Sequence, residues 1–85
     1  LFDFVWVEVE RGSALDGHSI ADLALRTRTG ATVVGIMRDG QMIANPSPGE
    51  RLLAADLLAI AGTPDQRRRL GDLAAASAVG GGPNL

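Results

Sequence analysis

Eighty-five residues, 46% of them hydrophobic, give room for one small domain; a chain of this size buries only roughly 60% of its unfolded surface, so its core is marginal and self-association is a common remedy. The formal net charge is −2, with no basic tail, and the positive field that nucleic-acid binding begins from is missing. With no cysteine, disulfides, zinc–thiolate sites and cysteine nucleophiles are excluded, and no apolar run approaches the roughly 18 residues that span a bilayer. The absence of cysteine fits a cytoplasmic protein. The opening Leu1-Phe2-Asp3, without Met or a signal-like segment, reads as a piece of a longer chain.

Phe2 to Glu10 alternates with the period of a strand. Phe2, Phe4 and Trp6 fall on one side and Val5, Val7 and Val9 on the other, so both faces are apolar over the first half. A one-domain chain has one core to offer, and the second face needs another cover. Arg11 to Gly17 reads as a turn. Ser19, three residues before Asp22, opens a short helix with Ile20, Leu23 and Ala24 at helical spacing. That helix is expected to end near Leu25, with Thr27 to Gly30 breaking it. Ala31 to Met37 is a second strand, apolar on both faces through Val33, Val34, Ile36 and Met37. Asp39-Gly40 signals a two-residue hairpin returning as a third strand, Gln41 to Ala44.

Asn45-Pro46-Ser47-Pro48-Gly49 cannot continue a strand, because its prolines lack the amide proton. Leu57 to Ala61 is a fourth, buried strand. Thr63 caps a second helix, with Pro64 at its first position, Gln66 completing the box, and Leu70, Leu73 and Ala74 as its apolar stripe. Residues 1–76 thus form one domain, and Ser77 to Leu85, with its run of glycines, is expected to be a flexible tail. The fold class is α+β: a small mixed sheet in the order β-α-β-β-β-α, two layers with helices packed on the sheet, and dimeric.

Set in order, these pieces resemble the TrkA-C (RCK-C) family. Gly17/Ser19 at the helix start, Arg26 before Gly30, the strand Val33-Val34-Gly35-Ile36 and the hairpin Asp39-Gly40 match its pattern. So do the turn Asn45-Pro46, Asp56 opening the last strand, and the helix start Gly62-Thr63-Pro64. The match runs strongly from Gly17 to Leu70. One departure is Ala55, where the family usually has a glycine; alanine resists positive φ. The resemblance implies a non-enzymatic regulatory domain of potassium or cation:proton antiport systems. It would lie in the cytoplasm, at the inner face of the membrane where its transporter sits, and would pair as a homodimer. The partners implied are the transporter or the parent's nucleotide-binding RCK-N domain, with no nucleic acid and no insertion into the membrane. No cofactor is implied; the ligand, in a subset of the family, is cyclic di-AMP held between two copies.

The resemblance also proposes a site. Arg26 would meet a phosphate, its planar guanidinium offering two parallel hydrogen bonds, against the plain alternative of a surface ion pair. Ile20, Ala21 and Leu25 would form an apolar wall for adenine, although Ile20 and Leu25 also suit a helix core. Thr32 stands where binders of the ligand can have Asn, and a hydroxyl offers less than an amide's donor-and-acceptor pair, so weaker binding or none is expected. Pro46 and Pro48 would line the same cleft, or simply end the third strand and stiffen the turn.

Enzyme chemistry finds no support. His18 is the only histidine, and with Asp16 and Ser13 or Ser19 it makes a triad on paper alone, since near neighbours in sequence rarely converge in that geometry. Arg67-Arg68-Arg69 reads as a solvated face, the carboxylates lack a metal-ligand spacing, and Gly80-Gly81-Gly82 precedes no helix. Two functions of different kinds remain: a ligand sensor at a dimer cleft, and a module that only dimerises. An amino-acid-binding module of the ACT type would need a second helix before its last strand, and here the second helix, from Gly62-Thr63-Pro64, follows it.

Overall fold

In the computed structural model, which describes residues 4–76, the elements are β1 (Phe4–Glu8), α1 (Ile20–Leu23), α2 (Leu25–Thr29), β2 (Thr32–Arg38), β3 (Gln41–Ala44), β4 (Leu57–Ala61) and α3 (Pro64–Ala74). Phe2 and the expected tail from Ser77 lie outside the described residues. The four strands form one sheet in the order β1-β4-β2-β3. The mixed sheet expected from the sequence is instead antiparallel throughout. A helical crossover normally leaves its two strands parallel and adjacent; here β4 enters between β1 and β2 and runs against both.

The β2–β3 hairpin turns on Asp39 and Gly40, both left-handed at φ 52° and 76°, as a two-residue turn matched to strand twist requires. Val34 is the extra residue of a bulge between the Val33–Ile60 and Gly35–Ala59 pairs. The first strand stops at Glu8. Val9 is fully buried and pairs with the loop instead, donating to the Asp56 carbonyl at 2.8 Å and accepting from the Ala55 amide at 2.8 Å.

The first helix differs from expectation. The chain bends at Ala24 (φ 49°, ψ 47°) and resumes as α2 through Thr29, so the Thr27–Gly30 stretch does not break it until Gly30, at φ 82°. In one straight helix Leu23 and Leu25 would point to different faces; the bend turns both into the core, at 5% and 3% exposed. The Thr29 hydroxyl sustains the extra turn, donating to the Leu25 carbonyl at 2.7 Å and accepting from the Ala31 amide at 3.0 Å. The second predicted helix forms with its capping box: Thr63 Oγ1 accepts from the Gln66 amide at 3.2 Å, and Gln66 Oε1 from the Thr63 amide at 2.9 Å.

The sheet has two unlike faces. Val5, Val7, Val33, Ile36, Ile43, Leu58 and Ile60 turn to the helices and pack against Leu23, Leu25, Leu70 and Ala74. On the opposite face, one row across the strands reads Trp6–Ala59–Gly35–Ala44 and the next Glu8–Leu57–Met37–Met42. Its rims are exposed, Trp6 at 46% and Met42 at 50%, and its floor is made of small residues. Phe4 meets Trp6 edge-on, ring centroids 5.8 Å apart. Among the described residues no helix is long and apolar enough to cross a membrane.

Candidate functional site

Ile20 and Ala21 form the first turn of α1, capped by Ser19, whose hydroxyl accepts from the Asp22 amide at 3.1 Å. The first amides of any helix lack partners within it. Here the Ile20 amide donates to the Glu50 carbonyl at 3.0 Å and the Ala21 amide to the Pro48 carbonyl at 2.8 Å. The pairing continues outward through Gly17 and His18 to Leu52, so the stretch after Pro48 lies along the start of the helix. Ile20, Ala21 and Pro48 are therefore brought together, with Pro46 partly buried just upstream.

The other predicted residues are placed differently. Leu25 is 3% exposed and belongs to the core cluster. Arg26 lies in the first turn of α2, not in a turn between elements; it is exposed, its carbonyl accepts from the Gly30 amide at 2.9 Å, and its guanidinium has no hydrogen-bond or ion-pair partner among the described residues. Thr32 opens β2 on the open sheet face, paired with Ala61 and half-buried.

A second polar cluster was not anticipated. Asp56 is 2% exposed, and a carboxylate buried to that degree demands partners. Arg38 supplies them bidentately, Nε to Oδ1 at 2.9 Å and Nη2 to Oδ2 at 2.7 Å, while the Leu53 amide donates to Oδ2 at 2.9 Å. The same guanidinium reaches Glu50 Oε2 at 3.1 Å and the Arg51 carbonyl at 2.8 Å. Its hydrogen bond to Asp56, more than that to Glu50, raises the Arg38 pKa above its already high ordinary value, so it carries its charge at every working pH. Beside it, a cavity of about 120 Å³ is lined by Arg38, Asp39, Asp56 and residues 53–55, and none of the predicted ligand residues borders it. The signal was legible in principle: one acidic residue set against an all-apolar strand must be neutralised from the neighbouring strand. Among the described residues no group of His, Asp or Glu is placed to hold a metal ion.

The TrkA-C domain family pattern matches residues 4–75. The chain belongs to the TrkA-C domain family. It shares its fold with the RCK_C domain dimer of S. agalactiae BusR in complex with cyclic di-AMP, at a TM-score of 0.80 and 27% identity, covering 86% of this chain and 90% of that one. The RCK C domain of the potassium transport protein KtrA, also in complex with cyclic di-AMP, gives a TM-score of 0.74 and 26% identity over 82% of this chain and 80% of that one. Among proteins of curated function none matches.

S. agalactiae BusR in complex with its busA-promoter DNA matches at a TM-score of 0.80 and 27% identity; this chain spans 37% of it. The exclusion of nucleic acid rests on the net charge of these 85 residues alone, and a DNA complex among the neighbours means that it does not extend to a parent protein. As a TrkA-C domain, the chain is a regulatory module of the kind carried by potassium-transport and regulator proteins.

Proposed function

We propose that this TrkA-C domain is a non-enzymatic, cytoplasmic sensor that binds cyclic di-AMP between two copies and so regulates a potassium channel or transporter, or a cation:proton antiporter. The transporter, or the parent's RCK-N domain, is its partner at the inner face of the membrane. The observation that carries this is the edge where Ile20, Ala21 and Pro48 meet, together with an exposed Arg26 whose guanidinium no described residue engages, on a fold shared with two cyclic di-AMP complexes.

The open sheet face supports the pairing of copies. Phe4, Trp6, Met42 and Leu57 are each two-fifths to one-half exposed there, apolar surface that a second copy would cover. A specific contact buries about 1,000 Å² or more in total, and this face is the one that brings apolar surface to it. Thr32 lies on the same face, paired with Ala61, so two copies meeting there would bring this one of the proposed ligand residues to the interface. A two-fold symmetric ligand with two phosphates suits such a pair.

Against catalysis, the Ser19 hydroxyl is committed to its helix cap, Ser13 is 7% exposed, and the exposed His18 side chain has no hydrogen-bond partner among the described residues. Thr32 favours the second reading, a module that dimerises without ligand, because its hydroxyl replaces an amide. Calorimetric titration with cyclic di-AMP, alongside sedimentation at tens of micromolar, decides between them. Heat at one ligand per dimer is the expected result. A dimer without heat leaves dimerisation as the function, and a monomer refutes both.

A further inference from the structure

The connection between β3 and β4, residues 45–56, has no helix or regular strand of its own, yet it carries Pro46 and Pro48. It is held from two sides. On one, the Pro48 and Glu50 carbonyls accept the Ala21 and Ile20 amides. On the other, Arg38 at the end of β2 grips the Glu50 carboxylate, the Arg51 carbonyl and Asp56. The two attachments meet in one residue: Glu50 holds α1 through its carbonyl and Arg38 through its side chain.

The two carboxylates that Arg38 binds are unequal. Asp56 takes two bonds and is 2% exposed; Glu50 takes one bond at 3.1 Å, with 28% of its side chain exposed. Asp56 therefore fixes the guanidinium, and the guanidinium in turn fixes Glu50. This matters because α1 is four residues long, a single turn that cannot persist without outside partners.

We propose that the Arg38–Glu50 contact is a positioning device for the ligand edge: it seats the Pro46–Glu50 stretch against the first turn of α1 and so keeps Ile20, Ala21 and Pro48 in register. This rests on reading that edge as the cyclic di-AMP site. Glu50 is a positioning residue and touches no ligand. Releasing it lets the loop sample other arrangements, and apparent affinity falls in proportion to the fraction still competent to bind.

The test uses Glu50→Ala and Glu50→Gln in the 85-residue chain, with amide exchange by NMR and calorimetry with cyclic di-AMP. In Glu50→Ala the Ile20 and Ala21 amides should exchange about 5-fold faster, the scale of one part-exposed ion pair, with Leu58 and Ile60 unchanged. The dissociation constant should rise by a similar factor. Glu50→Gln, which keeps an acceptor without the charge, should restore part of both. Unchanged exchange at Ile20 and Ala21 overturns the proposal, as does a uniform rise across the sheet, which marks Glu50 as a general stability residue. Heat from the parent chain with unaltered affinity in Glu50→Ala overturns the positioning role alone. No heat from the parent chain overturns the ligand reading, and with it the role of the contact in binding.

Discussion

Arg26 and Arg38 carry the same guanidinium in opposite circumstances. Arg38 has all three nitrogens engaged, by two carboxylates and a carbonyl, and its charge serves the fold. Arg26 is exposed on α2, unengaged among the described residues, and its charge is available to something outside the chain. A guanidinium in a preformed network cannot turn to a phosphate without stranding a buried carboxylate. The domain thus keeps stability and recognition on separate arginines, and three substitutions probe that division, ordered by their expected effect on stability.

The largest effect should come from Asp56→Ala. It leaves the Arg38 guanidinium without its bidentate partner and the Leu53 amide without an acceptor. Breaking a buried pair by removing one member costs on the order of 3–5 kcal/mol, and since Arg38 keeps some contact with water the lower end applies. For a domain of this size, that lowers the melting temperature by more than about 10 °C, measured by circular dichroism. A loss under about 1 kcal/mol would put the buried pair on a level with an exposed one and dissolve the contrast.

Ala55→Gly should act in the opposite direction at the same corner. Ala55 sits at φ 77°, a left-handed conformation that favours glycine. A left-handed alanine costs roughly 1–2 kcal/mol, part of which the greater freedom of unfolded glycine takes back. A gain of about 0.5–1 kcal/mol in urea unfolding is expected. Since Ala55 is exposed, no packing is lost to obscure it. Destabilisation instead would mean that the loop reaches this conformation without strain.

Much of this was legible in the sequence, where the signal was local. The strands Gln41–Ala44 and Leu57–Ala61 and the Thr63 cap fell where alternation, prolines and the capping box placed them. What escaped depended on tertiary contacts. The insertion of β4 between β1 and β2 has no local signature, and the mixed sheet became antiparallel. The bend at Ala24 exists to bury both Leu23 and Leu25, a demand set by the core and not by helix propensity. Ala55 carried a family-level warning about backbone shape, and the loop adopts the glycine-like conformation regardless. For the site, Ile20, Ala21 and Pro48 are joined by backbone hydrogen bonds that no side-chain pattern reveals. Arg38 escaped because its partners Glu50 and Asp56 are distant in sequence.

The smallest effect on stability should come from Arg26→Ala, and it is the most informative of the three. An exposed side chain with no partner among the described residues contributes within about 0.5 kcal/mol to folding. If the same side chain anchors a phosphate of cyclic di-AMP, its charge-assisted bonds are worth about 1.5–3 kcal/mol, so affinity should fall roughly 10- to 150-fold while the melting curve stays in place. Arg26→Lys should recover only part, because an ammonium lacks the planar fork. Thr32→Asn should strengthen binding if the missing amide limits it. Calorimetry on the four proteins, each checked by circular dichroism, reads all of this together. Unchanged affinity in a folded Arg26→Ala protein would remove Arg26 from the site. A destabilised Arg26→Ala protein would show that this arginine, too, is committed to the fold, and the division between the two guanidinium groups would not hold.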